Sequence, residues 1–273
     1  MAISITPISP VALEILGLEI RWYALAYIIS FILGYWFMRK LYMGGRLHTK
    51  KNWDDLLAAV IIGTIIGGRL GYVLFYNLSY FLAHPLEIFA VWNGGMAFHG
   101  GLLGVIAGVF FFSKWRIKDA FGILDLMAVV TPIGLFFGRI ANFINMEVMG
   151  RATDGPLGIV FVDRAGMPLG DGIPRHASPL YEAALEGILL FIIMFILWKF
   201  TKLRNHTGML SGIFAITYAL FRIVAEQFRQ PDAQIGFLTD WGLTMGALLS
   251  GVMLTAGIIA IVISLRKGST CRE

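Results

Sequence analysis

One cysteine, five histidines and a charged fraction of only 14% are all that 273 residues of this chain offer to polar chemistry. The lone thiol, Cys271, excludes a disulfide scaffold and any paired C-x-x-C motif, and reads as incidental. The histidines are scattered without H-E-x-x-H spacing, so no metal site is expected. No P-loop, no G-x-G-x-x-G before a helix and no G-x-S-x-G elbow is present, which removes nucleotide-binding and serine-hydrolase readings. The shortage of charge, set beside 58% hydrophobic residues, also excludes a disordered chain and a water-soluble globular enzyme. What is abundant is material for membrane helices: 21 Phe, 12 Met and 32 Gly, with a mean hydropathy of +0.76. The expected fold class is therefore all-α, a polytopic membrane protein.

A net charge of +5 could suggest nucleic acid, but the cations form short clusters between apolar runs rather than one basic face. Every lysine falls in such a cluster, at 40, 50, 51, 114, 118, 199, 202 and 267, and these loops read as cytoplasmic, with no nucleic-acid partner. Apolar runs long enough to span a bilayer fall near 22–38, 56–75, 95–113, 120–142, 180–198, 208–227 and 241–265. Seven transmembrane helices follow, in a single integral membrane domain over 1–273, with the amino terminus outside and the carboxyl terminus cytoplasmic. Residues 1–19 lack a basic n-region and a cleavage site, so the first span is expected to act as an uncleaved signal. The outer segment 145–178, rich in Gly, Pro and Asp, predicts a small cap. Glycines at 63, 67 and 71 and at 100, 104 and 108 line one face each of the second and third spans, which predicts close helix contact. Pro132 predicts a kink in the fourth span.

Polar residues inside or beside these spans are the candidates for function, because a central arginine costs roughly 2.5–3.5 kcal/mol on insertion scales. Arg139 lies toward the outer end of the fourth span with Asn142 on the same face and Glu147 at the membrane edge. This group reads either as a guanidinium fork for a phosphate or as an interfacial snorkelling pair. Tyr218, Arg222 and Glu226 recur at four-residue spacing in the sixth span, either as a structural Arg–Glu pair or as a second anion clamp facing Arg139. His99, flanked by glycines, suits a general base toward a thiol or hydroxyl, a phosphate ligand, or a structural imidazole. His176 and Ser178 suit anchoring and capping of the fifth span, and Asp125 suits the inner interface. Tyr23 and Tyr27 share a face that would also serve an aromatic belt, whereas Arg69 lies deeper from the outer end of its span and is harder to explain as snorkelling. Composition and spacing lead to an outer-face site for an anionic headgroup. An enzyme, a transporter or scramblase, and a bundle of internally paired arginines all remain open.

Several longer segments are more specific. Gly138–Arg151 (GRIANFINMEVMGR), Phe98–Gly101 (FHGG), Arg175–Glu182 (RHASPLYE) and Phe221–Gln234 (FRIVAEQFRQPDAQ), with Arg21–Tyr27 and Gly67–Tyr76, resemble the bacterial prolipoprotein diacylglyceryl transferases, in order over about 20–265. Ala141 and Met146 stand where the family signature carries glycine, Met149 where an aromatic is common and Ala177 where proline is usual. The resemblance implies transfer of an sn-1,2-diacylglyceryl group from phosphatidylglycerol to the lipobox cysteine of a prolipoprotein signal peptide. A thioether forms and glycerol phosphate leaves, in the bacterial inner membrane with the site facing the periplasm. It implies Arg139 and Arg222 as phosphate clamps and His99 as a candidate base, with Tyr23, Arg69, Asn142, Glu147, Gly150, Tyr218 and Glu226 binding substrate. The nucleophile would come from the substrate, leaving Cys271 dispensable, and the partners would be the two substrates and membrane lipids, with no soluble cofactor implied.

Overall fold

The computed structural model describes residues 2–15, 17–42, 49–231, 236–240 and 242–268, apart from the side chains of Leu18, Asn93, Phe98 and His99. The chain divides into two compact units, one formed by Met1–Lys40 with Asp125–Thr270 and the other by Leu41–Leu124 with Cys271–Glu273.

The second of these units is built on α2 (Lys50–Tyr76), a short α3 (Leu78–Ala83), two single 3₁₀ turns and α4 (Phe98–Arg116). Thr49 starts α2 by accepting the Asn52 amide proton on its hydroxyl. The two glycine stripes meet as expected. A side-chain carbon at Gly63 or Gly67 would overlap the carbonyl of Gly104 or Gly100, and one at Gly71 would lie 2.7 Å from Gly100 Cα. The backbones of α2 and α4 are thus in direct contact, which only glycine allows.

The other unit holds α1 (Trp22–Leu41), most of α5 (Ala120–Ile144), and the continuous span Ser178–Phe200, followed by α8 (Met209–Glu226) and α9 (Met245–Lys267). The span Ser178–Phe200 comprises α6 (Ser178–Glu182), a π-helical turn over Ala183–Leu189 and α7 (Leu190–Phe200). Val129, Leu190, Met194 and Leu210 have no exposed surface and supply the interior of α5, α7 and α8. Pro132 is buried within α5. Gly212 and Gly257 let α8 and α9 touch, since a carbon added at either would fall within 2.9 Å of the other's carbonyl oxygen.

Strands add to the expected all-helical fold. β1 (Ile3–Ile5) pairs in parallel with β4 (Ile159–Phe161), and β2 (Val11–Ile15) pairs antiparallel with β3 (Leu18–Arg21). They lie before α1 and in the segment between α5 and α6, where chain outside a hydrocarbon layer can pair its backbone groups locally. Arg175 continues this cap by exchanging backbone hydrogen bonds with Ile159.

Among the described residues six helices are long and apolar enough to cross a membrane: Trp22–Leu41, Lys50–Tyr76, Ala120–Ile144, Ser178–Phe200, Met209–Glu226 and Met245–Lys267. The chain is a polytopic membrane protein, mostly helical. The run expected to span over 95–113 is α4, which is not one of those six. Asp125, expected at an interface, is instead wholly buried. Its carboxylate accepts from Gly208 N at 2.7 Å, Ser211 N at 2.9 Å and Ser211 Oγ at 2.8 Å. It caps α8 from outside, because the residue at the cap position is Gly208, at φ +88 and with no side chain to do so.

Candidate active site

Within the first unit α5 and α8 end where the span Ser178–Phe200 and α9 begin, and the charged side chains collect at that end. Arg139 Nε lies 2.8 Å from Glu182 Oε2, and Arg139 Nη2 lies 3.1 Å from Glu186 Oε2. Arg222 Nη1 reaches the same two carboxylates, at 3.0 Å from Glu182 Oε2 and 3.7 Å from Glu186 Oε1, while its Nη2 holds Glu226 Oε2 at 2.8 Å. Arg229 adds a third guanidinium at 3.5 Å from Glu182 Oε1. Among the described residues, three cations face three anions. Glu182 and Glu186 have no exposed side-chain surface, whereas Arg139 and Arg222 keep 19% and 11% of theirs. The carboxylates therefore form the floor of the cluster and the guanidiniums its outer layer.

Local chemistry sets this arrangement. Pro179 suits the first turn of α6, where its missing N–H is no loss, and leads into the π turn that carries Glu186. Gly187 packs on the α5 backbone, since a carbon there would lie 2.7 Å from Phe136 Cβ and 2.9 Å from Phe136 Cα. That approach sets Glu186 one turn from Arg139. Gly246 does the same for Glu226, whose carboxylate oxygens lie 2.8 Å from where a side chain would start. Glu226 is thereby seated at the first turn of α9, the positive end of that helix. Tyr218, buried and stacked on Phe214 at 6.0 Å, stands in the field of Glu186, Arg139 and Arg222.

A second polar group lies beside the end of α5. Asn142 Nδ2 donates to Tyr23 Oη and to Glu147 Oε2, each at 3.3 Å, and Asn145 Nδ2 donates to Glu147 Oε1 at 3.4 Å. The turn that brings Glu147 back is strained, because Met146 at φ 56 and Val148 at φ 60 occupy the left-handed region without being glycine. Glycine at 146 would relieve the first of these. Gly150 lies where the chain passes the segment 176–229. Its amide donates to His176 O at 2.8 Å, and a side chain would fall 2.7 Å from that oxygen. Ser178 is not the expected cap of α6, for its hydroxyl donates to Val148 O at 2.7 Å and so ties the strained turn to the span. His176 Nδ1 lies 3.3 Å from Tyr181 Oη, an anchoring contact. On the cap surface Arg175 hydrogen-bonds Asp171 at 2.5 Å and holds its carboxyl below the usual carboxylate range.

In the other unit Arg69 is buried, with every guanidinium nitrogen engaged by the protein. Its Nε donates to Ile88 O at 2.9 Å, its Nη2 to Glu87 O at 2.6 Å and its Nη1 to Gly94 O and Gly95 O at 2.5 and 3.2 Å. In this structure it clamps the 85–95 loop. The side chain of His99 lies outside the described residues, as does Cys271.

The structure thus brings Arg139, Arg222, Tyr218 and Glu226 into one cluster and Tyr23, Asn142 and Glu147 into its neighbour, with Gly150 on the adjoining turn. Sequence reasoning missed the partners that join the two arginines. These partners are Glu182, at the end of the RHASPLYE segment, and Glu186 four residues on. The signal was available, since two carboxylates four residues apart in an apolar span need a buried cation.

The fold and the site together define a polytopic membrane protein with a buried arginine–carboxylate cluster at one end of its helices. The family model for prolipoprotein diacylglyceryl transferase matches residues 10–263, and the chain belongs to that family. It is 50% identical over 268 residues to the phosphatidylglycerol–prolipoprotein diacylglyceryl transferase of Rhodospirillum rubrum, covering 97% of this chain and 95% of that protein. Enzymes of the same name from Paramagnetospirillum magneticum and Rhodospirillum centenum are 48% and 46% identical. They cover 98% and 93% of this chain and 98% and 91% of their own lengths.

Proposed function

We infer that this protein transfers the sn-1,2-diacylglyceryl group of phosphatidylglycerol to the lipobox cysteine thiol of a prolipoprotein, the first step of lipoprotein maturation. The observation that carries this reading is the convergence of Arg139 and Arg222 on the same oxygen, Glu182 Oε2, at 2.8 and 3.0 Å. Two guanidiniums that can share one oxygen can share a phosphate oxygen. In the reaction the substrate sulfur attacks the glycerol carbon, an S–C bond forms and the C–O bond to phosphate breaks. The electron pair of that bond stays on glycerol phosphate. Aligned guanidiniums stabilise the charge that develops on the leaving phosphate, more strongly in a site that excludes water.

The thiol, with an ordinary pKa of about 8.5, has to lose its proton to attack. His99 is the proposed acceptor, and the positive field of the arginines is the alternative source of thiolate. Tyr23, Asn142, Glu147, Gly150, Tyr218 and Glu226 are proposed to shape and bind the substrates, with Arg69 acting through the loop that it holds. Seven spans, an amino terminus outside and a cytoplasmic carboxyl terminus would place the arginine cluster at the periplasmic face of the inner membrane. The lysine and arginine residues closing α1, α7 and α9 lie at the other ends of those helices and support this orientation.

Incubation of the purified protein with phosphatidylglycerol and a lipobox peptide should yield a thioether-linked diacylglyceryl adduct by mass spectrometry, absent with Arg139→Ala. Lipid flux across vesicles without any covalent product would replace transfer by transport.

A further inference from the structure

We propose that Glu186 is the counter-ion that gives way when an anionic phosphodiester enters between Arg139 and Arg222, and that it does so by taking up one proton from solvent. The proposal rests on the reading that these arginines receive the phosphate. Among the described residues the charges of the cluster balance: three guanidiniums, Arg139, Arg222 and Arg229, contact three carboxylates, Glu182, Glu186 and Glu226. A further negative charge there would be buried without compensation, which is far costlier than in water. Protonating one carboxylate restores the balance without moving a helix.

The contacts single out which carboxylate yields. Glu182 is gripped by all three guanidiniums, with its closest contacts at 2.8 and 3.0 Å. Glu226 is held by Arg222 at 2.8 Å and sits at the positive end of α9. Glu186 has the longest contacts, at 3.1 and 3.3 Å to Arg139 and 3.7 Å to Arg222. Each of the three carboxylates has one buried oxygen without a hydrogen-bond partner, but for Glu182 Oε2 and Glu226 Oε2 a guanidinium nitrogen stands at 2.8 Å, whereas for Glu186 Oε1 that of Arg222 stands at 3.7 Å. It also lies one helical turn from Glu182, so that two like charges stand side by side against shared cations. The groups facing it are Arg139 on α5, Tyr218 and Arg222 on α8, and Glu182 on its own span; Glu226 lies behind Arg222, Arg229 behind Glu182, and Tyr27 of α1 behind Arg139. Once neutral, the carboxyl gains an O–H and can donate a hydrogen bond to a phosphate oxygen where before it could only accept. The guanidiniums it released are then open to the ligand.

Calorimetric titration of the purified full chain with a short-chain phosphatidylglycerol, in buffers of different ionisation heat between pH 6 and 8, measures the protons taken up per lipid. A phosphodiester is the suitable probe, because a phosphomonoester itself titrates near about pH 6. The wild type should take up about one proton, with affinity falling roughly tenfold per pH unit as pH rises. Glu186→Gln should bind with no uptake and a flat pH profile, and Glu186→Asp should keep the slope. A merely structural Glu186 would lower affinity in Glu186→Gln equally at every pH and leave the uptake in place, and that result overturns the proposal. So does a wild type that binds with no uptake. Should Glu186→Gln fail to fold, the wild-type and Glu186→Asp proton counts decide. Arg139→Ala separates the two readings. Loss of binding in that variant beside a wild type without uptake removes only the Glu186 proposal. Undiminished binding in Arg139→Ala, or no binding by the wild type, removes the clamp as well.

Discussion

Arg139 contacts two carboxylates through different edges of one guanidinium, its Nε facing Glu182 and its Nη2 facing Glu186. That fixed fork is what an ammonium lacks, since lysine carries the same charge as a point at the end of a flexible stem. Arg139→Lys is therefore expected to insert and fold, with kcat/KM for diacylglyceryl transfer to a lipobox peptide lowered by about 10²–10³-fold. Steady-state transfer rates beside a thermal unfolding curve of the same preparation check this, and near-normal turnover by the lysine variant would exclude a bidentate role. The neighbouring Asn142 shows the same economy of geometry, with one amide nitrogen serving both Tyr23 and Glu147. These residues were legible in the sequence because arginine and asparagine at three-residue spacing in an apolar helix have few structural uses. Asp125 was not, because its partners Gly208 and Ser211 are brought to it only by tertiary packing.

At the scale of elements, the π turn Ala183–Leu189 decides where Glu186 points, and nothing in its sequence, AALEGIL, announces it. Those residues favour an ordinary α-helix, and the wider turn arises where Gly187 lies directly on the backbone of α5. The strands β1 and β4 were hidden for a related reason, being three residues each and made by pairing across more than 150 positions of sequence. The glycine stripes of α2 and α4 were readable because four-residue spacing is a local signal with one physical use in a membrane. Gly187→Ala tests the π turn. The added carbon would fall 2.7 Å from Phe136 Cβ, so α5 and the turn must move apart and the Arg139–Glu186 contact lengthen. We expect a cost of about 1–3 kcal/mol in stability. A loss of transfer larger than that stability change explains should accompany it, measured as kcat per folded molecule well below the midpoint of unfolding. Full activity at reduced stability would show that the cluster tolerates the shift.

For the molecule as a whole, the sorting of cations is the feature on which the proposed orientation in the membrane rests. All lysines lie at 40, 50, 51, 114, 118, 199, 202 and 267, and α1, α7 and α9 each close on Arg or Lys. The arginine–carboxylate cluster, the strands and the cap segment lie at the opposite ends of those helices, where the cations are arginines without lysine. By the positive-inside rule this asymmetry predicts a cytoplasmic side for the lysine-bearing ends, because Lys and Arg in short loops resist translocation. Cys271 makes the test direct, since its replacement by serine leaves a chain without thiols. Cys271→Ser should transfer at the wild-type rate, as the nucleophile belongs to the substrate. In that background a single cysteine at Arg164, in the cap, should react with a membrane-impermeant maleimide added to intact spheroplasts. One at Lys202 should react only after the membrane is opened. The reverse pattern would put the cluster on the cytoplasmic side, away from prolipoproteins that have already crossed.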